Sequence, residues 1–76
     1  MKDVNGVKLK IGDYVKYRLD EMCSFDILSS VVGSEVAGFT TYIHVTYKNQ
    51  RGYIPKYEHN VRKISDEEAM LWMFEQ

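Results

Sequence analysis

Residues 51–64 read RGYIPKYEHNVRKI. Gly52 leads into Tyr53-Ile54, a short strand signal that Pro55 interrupts. Proline has no N–H to give to a sheet, so it stops a strand or confines it to an edge. PKYEHN then fits one helical turn or a loop, and VRKI reads as a last short strand. A strand, a proline turn, a single helical turn and a closing strand make the ending of a small, mainly β domain.

The upstream chain agrees with that ending. Asn5-Gly6 between Val4 and Val7 signals a tight turn, hence a small hairpin or edge strand at the start. Gly12-Asp13 marks the next turn. YVKYRL alternates with period two, so Val15, Tyr17 and Leu19 are expected to face one way and Tyr14, Lys16 and Arg18 the other. DEMCS is polar and irregular and reads as a loop. FDILSSVV is strand-like without favouring either side, and GSEVAG reads as a Gly-bounded connection. FTTYIHVTY is rich in β-branched and aromatic residues. It puts Phe39, Thr41, Ile43, Val45 and Tyr47 on one face, with Tyr42, His44 and Thr46 opposite; KNQRG reads as a hairpin loop.

The tail changes character. Ser65 is followed three residues later by Glu68, the pattern of a capping box. AMLWMF continues without Gly or Pro, and Ala, Met and Leu favour helix. A helix is therefore predicted from about Asp66 to Glu75. Six consecutive apolar residues, spaced at 100°, cover its whole circumference, whereas a single core covers one stripe of a surface helix. Met70, Trp72, Met73 and Phe74 are thus the expected protein interface, with Trp72 as its anchor. The other reading is that the helix packs across an open end of the β unit and is mostly covered there.

With 76 residues the chain is one domain with a thin stability margin, so a partner or a second copy bears on its stability. Composition is ordinary for a soluble domain, at 45% hydrophobic and 28% charged. No stretch approaches the roughly 20 apolar residues of a membrane span. MKDVNGVKLKIGD lacks the apolar run of a signal peptide, and Cys23 has no second cysteine to bridge. These features point to the cytoplasm. The net charge of −1 gives no bulk attraction to nucleic acid, yet it is unevenly placed. Residues 1–64 hold all ten Lys and Arg and seven of the eleven acids; the other four acids lie in the tail. Acids in a first turn also complement the helix dipole.

KIGDYVKYRL at the start and RGYIPKYEHNVRKI at the end carry a resemblance to the SH3-like barrel superfamily. The first resembles the opening of KOW and Tudor-type barrels, where a Gly-Asp turn delivers a Val-bearing strand. The second resembles the SH3 ending, where Gly, an apolar residue and Pro lead through a one-turn helix into a closing strand. The resemblance spans roughly residues 7 to 64. It implies a small five-stranded barrel over residues 1–64, with residues 65–76 as a C-terminal α-helix in the same domain. True SH3 domains carry an Ala-Leu-Tyr-Asp-Tyr-like stretch and a Trp on the third strand. Neither is present, so polyproline binding is not implied. A compact barrel with an appended helix also resembles many small phage-encoded accessory proteins.

Catalytic and metal chemistry find little support. Cys23, His44 and His59 are the only Cys and His ligand candidates, and no two stand at a short ligand spacing. No third group marks a Cys–His nucleophile, and no Gly-rich phosphate loop is present. The sequence therefore predicts no enzyme, cofactor or small-molecule substrate. Tyr14, Lys16, Arg18, Tyr42, Arg51, Tyr53, Lys56 and Tyr57, with His44, form a candidate binding face, because Tyr with Lys or Arg on a sheet is how small barrels stack bases and hold phosphate. Two readings follow: a small regulator or inhibitor that docks on a larger protein or on itself, and a KOW- or Tudor-like nucleic-acid-binding accessory protein.

Overall fold

The structure is a computed structural model that describes residues 1–47 and 50–74, with backbone alone at Tyr47 and Gln50. Five antiparallel strands form one sheet: β1 Tyr14–Tyr17, β2 Ile27–Ala37, β3 Thr40–Tyr47, β4 Gln50–Tyr57 and β5 Val61–Lys63. A 3₁₀ turn, Glu58–Asn60, joins the last two strands, and helix α1, Asp66–Phe74, follows. The strand order is β4-β3-β2-β1-β5.

The bend in β2 organises the sheet. Its first half pairs with β1, from Tyr14 opposite Ser30 to Tyr17 opposite Ile27. Its second half pairs with β3, and the register shifts between Val31 and Gly33. Val32 is the extra residue, and a bulge of this kind bends a strand and sharpens its twist. It also reverses the side-chain phase: Val31 is buried before it, while exposed Val36 opposite Thr41 carries that face after it. This is why FDILSSVV shows no inward side, and why GSEVA of the expected connection is strand, with only its last residue, Gly38, in a turn. The true turn is Gly38-Phe39, where Gly38 takes φ 64°. Two-residue hairpins need positive φ at that position, which glycine adopts without strain.

Val15, Tyr17, Val31, Ile43, Val45 and Val61 are almost completely enclosed and form the core with Leu9. The alternation expected for β1 holds for Val15 and Tyr17 but ends there, since Leu19 lies beyond the strand and is exposed. In β3, Ile43 and Val45 face the core, whereas Phe39 sits in the turn, fully exposed. The side chain of Tyr47, expected on that face, lies outside the described residues, as do Lys48 and Asn49 of the expected KNQRG loop. Pro55 does not stop β4, which runs on to Tyr57. β4 is an edge strand, and an edge tolerates the missing N–H. Ser29, buried opposite Val15, donates its hydroxyl to the Thr46 carbonyl at 2.6 Å.

The start of the chain covers the edge at β5. Lys2 and Lys8 bridge around the Asn5-Gly6 turn, and the Val4 N–H donates to the Val61 carbonyl at 2.8 Å. Buried Asp3 locks this arrangement. One carboxylate oxygen accepts the N–H groups of Asn5 and Val7, at 2.9 and 2.8 Å. The other accepts the Lys63 N–H of β5 at 2.8 Å.

Asp3→Ala should therefore lower the free energy of unfolding by about 2–4 kcal/mol, since several partly buried donors lose their acceptor. Asp3→Asn keeps an acceptor oxygen and should lose less. Urea unfolding of both variants checks this; a loss under about 0.5 kcal/mol for Asp3→Ala would show that water replaces the carboxylate freely.

Candidate interaction surfaces

α1 begins with one half of the predicted capping box. The Ser65 hydroxyl accepts the Glu68 N–H at 3.1 Å. The Glu68 carboxylate turns to the sheet, 3.7 Å from Lys16 Nζ on β1 and 3.8 Å from Arg62 Nη2 on β5. The attraction of two cations on neighbouring strands thus takes the carboxylate that a full capping box would aim at the Ser65 N–H. Lys16 Nζ also stands 4.6 Å from the centre of the Trp72 ring. Glu68, Ala69 and Trp72 thus form the seated side of the helix, with Ala69 fully buried and Trp72 half-buried.

The remaining apolar residues of α1 stay accessible to solvent. Met70, Leu71, Met73 and Phe74 are all exposed, Leu71 by 64% and Phe74 by 82%. Of the four residues expected at an interface, Met70, Met73 and Phe74 are exposed, and Trp72 is half-buried. Leu71, which is not among those four, is exposed beside them. The end of the predicted helix at Glu75 lies outside the described residues.

The structure divides the expected Tyr/basic face. Tyr42 and His44 on β3 share one side of the sheet with Tyr53 and Tyr57 on β4. Tyr53 stacks on His44 with ring centres 3.9 Å apart, Tyr42 and Tyr57 lie at 5.2 Å, and Tyr57 stacks on His59 at 5.3 Å. The Tyr57 phenol, with smaller contributions from burial and Glu35, pushes the Tyr42 phenol above its ordinary pKa. A Cβ at Gly33 would meet His44 Nδ1 at 3.5 Å, an ordinary contact distance, so the imidazole packs directly over this position of β2. Arg51 on β4 is exposed, in the segment that separates Gln50 from Tyr53 at a second register shift.

The other basic residues are occupied elsewhere. Lys16 lies under α1, and half-buried Tyr14 is on the same strand. Arg18 is held by the Asn60 side chain and the His59 carbonyl, both at 2.9 Å, and lies over the Phe25 ring. Lys56 pairs with core residue Ile43 and so faces inward, unlike Tyr53 and Tyr57. Its amine donates to the Arg18 carbonyl at 3.2 Å and sits 4.9 Å from the centre of the Tyr17 ring. His59 Nε2 contacts the Glu21 carboxylate at 2.9 Å, and Cys23 is exposed. Among the described residues, no three potential metal ligands come together and no helix is long and apolar enough to cross a membrane.

Several exposed apolar residues were not singled out in the sequence. Phe39 tips the β2–β3 hairpin, and its signal is the preceding Gly38. Val4, Val7 and Ile11 line the outside of the N-terminal segment. Comparison with protein-family models, curated proteins and solved structures finds no match to this chain.

Burial lowers the Lys56 pKa, and Asp20 and Cys23 oppose that shift only partly. The folded state releases this proton before the unfolded state does, so stability should rise with pH between the lowered pKa and the ordinary lysine value. In an NMR titration of the lysine side chains, Lys56 should lose its proton first. Titration together with the surface lysines would contradict the burial account.

Proposed function

We propose that this protein is a non-enzymatic interaction module, a small regulator or inhibitor that docks on a protein surface through the outer side of α1. The observation that carries the reading is the exposure of Met70, Leu71, Met73 and Phe74 on a helix whose other side is already seated. Burying a residue of this size is worth about 1.5–3 kcal/mol, so leaving four in water forfeits a large gain for a chain of 76 residues. Unbranched methionine beside Leu and Phe suits an adaptable contact.

The fold within this reading is an SH3-like barrel that serves as scaffold. The order β4-β3-β2-β1-β5, the 3₁₀ turn before β5 and the reach of Lys56 from β4 to the end of β1 support that assignment. The cytoplasmic placement rests on the free, exposed thiol of Cys23.

The Tyr42–Tyr57 row favours the alternative reading, nucleic-acid binding, in one respect, since exposed rings stack bases. Protein docking is preferred because three of the four cations of that face, Lys16, Arg18 and Lys56, are engaged inside the protein, leaving Arg51 as its exposed cation.

Leu71→Glu with Phe74→Glu should leave the melting temperature within a few degrees and reduce capture of the binding partner at least tenfold. Affinity capture with wild-type and variant protein, followed by thermal melts, makes the comparison. Equal capture by both would refute α1 as the contact. Salt-sensitive binding to oligonucleotides that survives both substitutions would favour the nucleic-acid reading.

A further inference from the structure

Two surfaces of this molecule complement each other, and they adjoin. The first is the outer side of α1. Its first turn adds the exposed acids Asp66 and Glu67, neither of which pairs with a cation among the described residues. The second is the N-terminal segment. Val4, Val7 and Ile11 are exposed there, Ile11 by 70%. Lys2, Lys8 and Lys10 are exposed beside them, and their amines likewise enter no ion pair among the described residues. One surface is apolar with exposed acids, and the other is apolar with exposed amines.

They meet at one open cleft, lined by Lys10 and Ile11 from the N-terminal segment and by Ser65 and Asp66 from the start of α1. Its remaining charges, Lys63 and Asp13, neutralise each other at 3.6 Å. Both surfaces are fixed to β5: the N-terminal segment through Asp3 and Val4, and α1 through Glu68 to Arg62.

We infer that the occupant of the α1 surface is a second copy of this chain, in a two-fold dimer where each α1 packs on the partner's N-terminal segment. This inference rests on the reading of α1 as a contact surface and names its partner. Two-fold pairing uses both complementary surfaces at once and closes, so it leaves no open end for a filament. Asp66 and Glu67 then face Lys8 and Lys10 of the other copy, and Leu71 and Phe74 cover its Val7 and Ile11.

Analytical ultracentrifugation over a concentration series tests this with the full chain. The wild type should show a monomer–dimer equilibrium that weakens as salt rises. Ile11→Glu and Leu71→Glu change exposed side chains, so each should stay folded by circular dichroism and weaken the dimer at least tenfold. Lys10→Glu and Glu67→Lys should each weaken it several-fold, and an equimolar mixture of those two variants should recover association to within about threefold of wild type. Full association by every single variant would overturn the proposal. So would a wild type that stays monomeric at all concentrations. A monomer that still captures a foreign protein through Leu71 and Phe74 would overturn the dimer while preserving α1 docking; a monomer that captures nothing would remove both.

Discussion

A helix with apolar residues at six consecutive positions has more greasy surface than one small sheet can cover. That constraint shapes the molecule. The sheet takes one stripe of α1, where Glu68 bridges Lys16 and Arg62, Ala69 is buried and Trp72 lies against the Lys16 ammonium. The seat is polar and cationic at its centre, which suits a charged side chain and an aromatic face better than methionine or leucine. Met70, Leu71, Met73 and Phe74 are left outside by geometry.

The sheet can offer so little because its apolar residues are spent on its own core. Tyr17, Val15 and Val61 on one side of the β2 bend meet Ile43 and Val45 on the other, and Val31 stands at the bend. β5 has three residues and is too short to hold its edge alone, so Asp3 ties the N-terminal segment across it. That closure turns Val4, Val7 and Ile11 outward with the lysines between them. The basic and apolar surface at the start of the chain and the acidic and apolar surface at its end are both products of β5.

Much of this was legible in the residues, because the signals were local. The Val15 and Tyr17 alternation, the Asn5-Gly6 turn, the Ser65 cap and the 3₁₀ turn before the last strand each depend on neighbours within a few positions. What failed depended on distant pairing. The phase reversal at Val32 hid the inward side of β2 and turned half of a strand into an apparent loop. Pro55 reads as a stop unless β4 is known to be an edge. The candidate face split for the same reason: Lys56 faces Tyr17 rather than solvent only because β4 continues in register past Pro55. The circumference argument needed no tertiary knowledge, and it identified an over-apolar helix. It did not identify which side would be seated, so it chose Trp72 as anchor, whereas Lys16 draws that ring onto the sheet.

The central claim is that the outer side of α1 is free in the isolated chain and covered on association. Methionine oxidation by dilute peroxide reads this directly, because Met22 lies in the loop between β1 and β2 as an exposed internal reference. In dilute protein, Met22, Met70 and Met73 should oxidise at comparable rates. On concentrating the protein, Met70 and Met73 should become protected while Met22 does not change. Protection of Met70 and Met73 at every dilution would mean that the chain itself buries them, and equal oxidation of all three at every concentration and with every partner would mean that nothing covers α1; either result contradicts the account.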